Sequence, residues 1–419
     1  MSNQKKVYTV TNGCPENRID LARLEVFLKT NDYIMTNDIE NADYIFLNTC
    51  GLTQKSEEKS LKLIEQLKIA KRPTAKLIVF GCLSRANKNL FKTVYTGNAY
   101  GSDDIEKVTN ILETKSNINE IHANYITPFT SDIGGFNKRI IWKKLKEIEG
   151  FRDIENKIIR AYYNRFYRAI DVIRPYSFPI KVSTGCLANC SFCVVKLTRG
   201  KVLSKPIQRI AKEFDEGLAK GYLEFSLIGT DVGSYGRDLD INLIDLLQEL
   251  ISRKGNFKIR LRNIQPKFLI EMMPELQKIF MSSKISYLST AVQSGNNRIL
   301  KLMNRGYSIE AYKEAIRTIN KNFPYIQIRT QFMVGFPSET YKEFMDTFRL
   351  LEELIFDITE VYIYSPRINT KAATMENQIP LKITKKRYYK IYRRILFNQL
   401  KRKKFALKQH RISLKSWSI

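Results

Sequence analysis

Cys186, Cys190 and Cys193 fall within eight residues of the stretch STGCLANCSFCVVKLTRG, at the spacing CxxxCxxC. Disulfides use cysteines in pairs, and a closed tetrahedral zinc site uses four ligands, so three is an awkward number. Thiolates are soft ligands that suit iron–sulfur clusters or zinc, and most such clusters take four cysteines. Three close ligands without an obvious fourth would leave one iron open to a substrate or cofactor. The plainer alternatives are a zinc site completed from elsewhere in the chain and a set of buried structural thiols. The remaining cysteines, Cys14, Cys50 and Cys82, are dispersed. Both histidines, His122 and His410, are distant in sequence from the cysteines, which argues against a Cys2His2 zinc site. Six cysteines in 419 residues do not suggest a disulfide scaffold.

The elements that must position these cysteines are legible as alternating patterns. Residues 6–115 read as a βαβαβ, flavodoxin-like domain with a parallel sheet. KKVYTVTNGC, ADYIFLNTC and AKLIVFGC are strands that run into turns, and RIDLARLEVFLKTN and about residues 57–70 are helical. Each dispersed cysteine sits just after a strand, at the edge where open α/β sheets bind ligands. Residues far apart in sequence can therefore meet there. In residues 116–178, TSDIGGFN reads as a loop, and about 138–173 as an amphipathic linker helix rich in Arg, Lys and Tyr. Residues 179–380 alternate six strand candidates (FPIKVST, EFSLIGTDV, FKIRLRNI, ISYLSTAVQS, IQIRTQFMVGF and EVYIYSP) with helices. Six successive βα units predict a partial α/β barrel, with its active site at the C-terminal strand ends.

The charge balance narrows the partners. Lys and Arg number 70 against 42 Asp and Glu, a formal net charge of +28. Residues 382–419 hold fourteen Lys or Arg and no Asp or Glu, half of the excess. They read as a basic helix with interleaved Tyr and Phe. Such a balance points to a polyanion, RNA foremost; lysine enrichment of the whole composition is the plainer alternative. For the tail itself, the alternative is a basic helix that packs on the barrel. The apolar runs are too short to cross a bilayer. MSNQKKVYTV runs straight into a strand without a secretory segment, which sets a cytoplasmic expectation.

CxxxCxxC after a strand that opens an α/β barrel resembles the radical S-adenosylmethionine superfamily. The longer stretch GCLANCSFCVVKLTRGKVLSKP resembles the methylthiotransferases within it. TNGCPENRID, ADYIFLNTCGLTQKSEEKS and IVFGCLSR resemble that family's N-terminal cysteine turns, including Asn17, Asp20, Asn48 and Thr49. LIGTDVGSYGRDL, VQSGNNRILKLMNRGY, RTQFMVGFPSET and VYIYSPRINTKAA resemble its barrel segments, so that the likeness covers about residues 6–395.

The resemblance implies two [4Fe–4S] clusters, one on Cys186, Cys190 and Cys193 and one on Cys14, Cys50 and Cys82. It implies S-adenosylmethionine both as methyl donor and as source of a 5′-deoxyadenosyl radical, which abstracts hydrogen from an unactivated C–H bond. The chemistry then lies with the clusters, and no side-chain acid or base is assigned. Phe192 is expected near the adenine. Gly229, Thr230 and Asp231 either contact S-adenosylmethionine or form a strand-to-loop turn. Gln293, Ser294 and Arg329 are further strand-end polar candidates for the cofactor.

The resulting organisation is an N-terminal domain over 1–120, a linker over 121–178, a radical barrel over 179–381 and a basic tail over 382–419. Family members carry a small all-β RNA-binding TRAM module after the barrel; residues 382–419 read instead as helix. GTDVGSYGRD most resembles the branch acting on threonylcarbamoyladenosine of tRNA, so C2 of that adenosine is the expected acceptor. A protein or peptide residue, as in the ribosomal-protein branch, is the second reading. A non-catalytic iron–sulfur RNA-binding protein is the third, and two complete trios argue against it. A flavodoxin or ferredoxin is the expected reductase.

Overall fold

The computed structural model describes residues 4–102, 104–112, 114–127 and 177–415, with side chains up to residue 398. TSDIGGFN and the helix expected over 138–173 lie outside the described residues. The chain forms two compact units that are not contiguous in sequence. The first takes the described residues up to Lys181, with Leu197–Gly200 and Lys212–Ile228. The second takes Val182–Lys196, Lys201–Ala211 and the described residues from Gly229 onward.

The first unit holds β1 (Lys6–Thr11), β2 (Ile34–Met35), β3 (Tyr44–Thr49), β4 (Lys76–Gly81) and β5 (Ala99–Tyr100). Their order is β2-β1-β3-β4-β5, with every pairing parallel. This is the flavodoxin-like order, whose ligand crevice opens where the order reverses, between β1 and β3. Successive strand residues go to opposite faces. Tyr8, Val10, Ile45, Leu47, Leu77 and Val79 pack with Ile64 and Leu67 of helix Gln54–Ala70. Val7, Phe46, Ile78 and Phe80 pack with Leu21, Leu24, Phe27 and Leu28 of helix Pro15–Thr30. Both faces are covered, which explains why these strands read as apolar runs rather than as alternation. The same unit pairs β6 (Ser177–Lys181) with β9 (Glu224–Ile228) in parallel.

In the second unit, β7 (Ser183–Thr184) and β8 (Leu203–Ser204) form a short antiparallel pair. β10 (Lys258–Leu261), β11 (Ile285–Ser289), β12 (Gln327–Val334) and β13 (Ile358–Ile363) are parallel, each beside its successor. Helices Pro266–Glu271 and Met273–Met281 join the first two of these strands, Asn297–Leu302 and Ile309–Asn322 the next two, and Tyr341–Glu353 the last. These repeated βα steps are the mixed α/β barrel architecture expected from the sequence. Thr340 starts helix Tyr341–Glu353 with a capping box closed by Glu343. Among the described residues, no helix is long and apolar enough to cross a membrane.

The basic segment is a helix, Leu381–Lys415, and its first half belongs to the core. Thr384, Arg387, Ile391, Tyr392 and Ile395 form a buried stripe at helical spacing. Arg387 Nη1 donates to Glu339 Oε2 at 2.6 Å and to Glu339 O at 2.8 Å. The two side chains are 8% and 0% exposed. Glu339 Oε2 also accepts from Gly335 N at 3.0 Å. Asn398 Nδ2 donates to Leu351 O at 2.9 Å, so the packed portion reaches residue 398. Removing one partner of a buried ion pair strands the other charge. Arg387→Ala should therefore cost about 3–5 kcal/mol, read as a lower urea midpoint. Lys385→Ala, at an exposed position of the same helix, should stay near the parent.

Candidate iron–sulfur sites

In the first unit the three strand ends deliver the dispersed cysteines to one sheet edge. Cys14 follows β1 as the N-cap of helix Pro15–Thr30, with Pro15 in the first turn and no capping bond from its thiol. Cys50 follows β3. Its backbone N–H is held by Asn12 Oδ1 at 3.2 Å and Ser60 Oγ at 3.1 Å. Cys82 follows β4 and precedes helix Leu83–Ala86. Gly81 has φ +111°, and a Cβ there would lie 2.5 Å from Thr49 O, so the turn into Cys82 requires glycine.

Asn17 gathers two of the thiols. Its Nδ2 donates to Asn48 Oδ1 at 2.6 Å and to Thr49 O at 2.9 Å, which fixes the amide. Its Oδ1 then faces Cys14 Sγ at 3.6 Å and Cys82 Sγ at 3.9 Å. Arg199, in the segment of the first unit that follows the CxxxCxxC stretch, bonds the same oxygen. Its Nη1 meets Glu16 Oε1 at 2.8 Å and Asp20 Oδ2 at 3.5 Å, and its Nη2 lies 4.0 Å from Cys14 Sγ. Burial opposes the charge of Arg199, but Glu16, Cys82, Cys14 and Asp20 around it hold its pKa well above the ordinary arginine value. Burial pushes the Cys14 thiol up to about 12, against the pull of Arg199. Cys82 is raised for the same reason.

The second unit carries the compact trio on the loop after β7. Ala188 N donates to Cys186 Sγ at 3.4 Å, and Val195 N to Cys193 Sγ at 3.4 Å. Ser191 clamps the loop: its N donates to Met303 O at 3.0 Å, its Oγ to Leu302 O at 2.8 Å, and its carbonyl accepts from Ala372 N at 2.8 Å. Burial raises Cys193 to about 11, with Cys190 adding to the rise, and also raises Cys186, helped by Asp231.

The other expected residues divide. Asp231 comes to the trio: its Oδ2 is 3.8 Å from Cys186 Sγ. Its Oδ1 accepts from Gly233 N and Gln265 N at 3.1 Å each. Burial lifts its carboxyl to about 6 while those N–H groups pull it down. Gly229 brings the backbone close to Ser183, whose Oγ lies 2.7 Å from where a Cβ would stand. Thr230 is half-buried beside it. Phe192 packs edge-on against Phe336, ring centroids 6.4 Å apart, in a cluster with Ile299 and Met303. Gln293 takes φ +70° and bridges β12 at Phe332. Ser294 Oγ lies 3.3 Å from Thr347 Oγ1. Arg329 donates to Ser289 Oγ at 3.2 Å and to Glu360 Oε2 at 2.7 Å. These last three are engaged by protein partners rather than by the cysteines.

Two residues not singled out from the sequence do reach the trio. Arg305 Nη1 donates to Cys190 Sγ at 3.2 Å, and Gln265 Nε2 lies 3.6 Å from the same sulfur. They are 115 and 75 residues from Cys190. The NRGY turn containing Arg305 was the available signal, but its partner is a product of the fold.

All six cysteines are free. Among the described residues, no three Cys, His, Asp or Glu side chains are grouped as the ligands of a single metal ion would be. A cluster takes one thiolate on each iron, and N–H groups aimed at the sulfurs suit thiolate ligands. The donor set of each trio thus fits a cluster with one iron left open.

The comparisons agree with this chemistry. Residues 180–351 match the radical SAM superfamily, and residues 6–99 match "Uncharacterized protein family UPF0004". A tRNA-2-methylthio-N(6)-dimethylallyladenosine synthase of Legionella pneumophila is 30% identical over 407 residues, 94% of this chain and 83% of its own. A probable threonylcarbamoyladenosine tRNA methylthiotransferase of Methanocaldococcus jannaschii is 29% identical over 387 residues, 91% of this chain and 81% of its own. A ribosomal protein uS12 methylthiotransferase, RimO, of Chlamydia pneumoniae is 29% identical over 395 residues, 92% and 76%. The radical S-adenosylmethionine methyltransferase TsrM of Kitasatospora setae shares the fold: TM-score 0.57 at 12% identity, over 88% of this chain and 74% of that one.

A thiol whose pKa is raised stays protonated, and so unreactive, below that value. In the metal-free chain, iodoacetamide should label Cys193 and Cys14 slowly at pH 8. Labelling of Cys193 should rise about tenfold per pH unit toward its raised pKa, followed by peptide mass spectrometry. Fast labelling of both at pH 8 would contradict their burial.

Proposed function

Because the chain belongs to the radical S-adenosylmethionine methylthiotransferases, we propose that it installs a methylthio group at C2 of the N6-modified adenosine 37 of tRNA, of the threonylcarbamoyladenosine type. In this reading Cys186, Cys190 and Cys193 hold the family's [4Fe–4S] cluster, and Cys14, Cys50 and Cys82 hold a second. Together with S-adenosylmethionine, the bound clusters would supply the electron, the hydrogen-abstracting radical and the sulfur that the reaction needs. The observation that carries the reading is the pair of free-cysteine trios, one at the ends of the parallel strands β1, β3 and β4 and one on the loop after β7, where an open iron can face a ligand.

The chain's own residues prepare these positions. Asn17, fixed by Asn48 and Thr49, orients Cys14 and Cys82. Ser191 holds the compact loop against Leu302 and Met303. Phe192 presents an aromatic edge beside the trio for the adenine. Gly229 and Thr230 shape the strand-end turn there, and Asp231 braces it. Gln293, Ser294 and Arg329 are the further strand-end residues this reading offers to S-adenosylmethionine, held in place by contacts with Phe332, Thr347 and Glu360. A low-potential flavodoxin or ferredoxin is the reductase this reading requires.

RNA is favoured as acceptor by the net charge of +28 and by the fourteen cations of residues 382–419. The uS12 methylthiotransferase is as similar to this chain as the tRNA enzymes are, which supports a ribosomal-protein aspartate as the second acceptor.

Reconstituted protein given S-adenosylmethionine and dithionite should form 5′-deoxyadenosine; none formed would refute the radical chemistry. Nucleosides from a strain lacking the gene should lose 2-methylthio-N6-threonylcarbamoyladenosine by mass spectrometry. An unchanged nucleoside pool beside loss of the methylthio group on uS12 would move the acceptor to protein.

The tail needs a cut that spares the core. Ending the chain after Pro380 would remove Arg387, Ile391 and Tyr392 from their buried positions, whereas ending it after Asn398 leaves them in place. The latter removes seven of the fourteen cations. tRNA affinity should fall, and the slope of log K against log salt should flatten by about 0.7–0.9 for each phosphate set free. An unchanged, salt-insensitive affinity would exclude phosphate binding beyond residue 398.

A further inference from the structure

The compact trio is not treated evenly. Cys186 and Cys193 each receive one backbone N–H, from Ala188 and Val195. Cys190 receives two side-chain donors, Arg305 Nη1 at 3.2 Å from the turn between helices Asn297–Leu302 and Ile309–Asn322, and Gln265 Nε2 at 3.6 Å from the loop after β10. Arg305 is 6% exposed. Its Nη2 is anchored on Ala291 O at 2.7 Å, so the guanidinium cannot swing away without giving up that bond. Tyr307, which donates to Val292 O at 2.5 Å, closes the same turn. Arg305 thus meets the Cys190 sulfur and a carbonyl directly, with Tyr307 and the Asp231 carboxylate also acting on its charge.

Hydrogen bonds to cluster sulfurs and nearby positive charge favour the reduced, more negative state of an iron–sulfur centre. A buried cation acts strongly there, because little solvent screens it. We propose that Arg305, with Gln265, is a positioning residue that sets the reduction potential of the radical-generating centre through Cys190. This rests on the reading that Cys186, Cys190 and Cys193 hold that cluster. The effect is local to one corner of the site: a donor pair on one thiolate withdraws electron density from the iron it binds and leaves the other two ligands to backbone N–H groups.

The test uses the full chain with Cys14, Cys50 and Cys82 changed to Ala, so that one cluster signal remains. Arg305→Gln, Arg305→Lys and Gln265→Leu are compared with this background by dithionite titration, monitored by electron paramagnetic resonance. Gln265 is only partly buried, so its variant keeps the test open if Arg305→Gln folds poorly. In Arg305→Gln the ratio of reduced to oxidised cluster at fixed potential should fall about tenfold, equivalent to about 59 mV for a one-electron couple. Arg305→Lys should fall between it and the background, since it keeps the charge and loses the planar fork. Gln265→Leu should shift the same way by less. A structural brace would lower the thermal midpoint and leave the potential unmoved; that result, or an unmoved potential in Gln265→Leu and Arg305→Lys together, overturns the inference alone. A background chain that takes up no iron overturns the cluster assignment and the inference with it.

Discussion

A thiol buried among apolar side chains resists losing its proton, and a bound metal is the partner that makes the loss favourable. That constraint organises both units. Cys14, Cys82, Cys186 and Cys193 are all shifted upward by burial. Under the proposed cluster assignment, metal loading would release protons and leave thiolates in their place. Groups that favour thiolates stand nearby: Arg199 beside one trio, and backbone N–H groups with Arg305 and Gln265 beside the other.

Parallel strands explain why the cysteines stand where they do. A strand held on both sides by its neighbours ends at a defined height, and the residue just after it inherits that precision. β1, β3 and β4 each deliver one cysteine to the same edge, although 36 and 32 residues separate them in sequence. The short β7 delivers three through one loop, which then needs its own clamp at Ser191. The dispersed trio thus stands at a parallel sheet edge, and the compact trio on the loop after a short antiparallel pair.

The basic helix Leu381–Lys415 shows how a single element can serve packing and charge together. A stripe of Thr384, Arg387, Ile391, Tyr392 and Ile395 is buried, while Lys382, Lys385, Lys386 and Arg393 remain outside. Helical periodicity permits both, because a buried face uses little more than a third of the positions. Among the helix's cations whose side chains are described, Arg387 is the buried one, drawn inside by the carboxylate of Glu339.

The sequence alone determined the placement of the cysteines after strands, the parallel α/β class and a basic helix starting near residue 382. Those features are local: hydrophobic runs, turn residues and a charge excess declare themselves within a few residues. The number and spacing of the thiols restricted what the compact trio could bind, and the assignment of a cluster to each trio came from the family resemblance. Only the tertiary structure decided which polar groups meet the sulfurs. Asp231 joined Cys186, whereas Ser294 and Arg329 turned to Thr347 and Glu360. Arg305 and Gln265 came to Cys190 across 115 and 75 residues. A strand-end side chain reads the same whether it faces a cofactor or a neighbouring strand; its partner depends on register and packing, which arise only when distant segments are brought together.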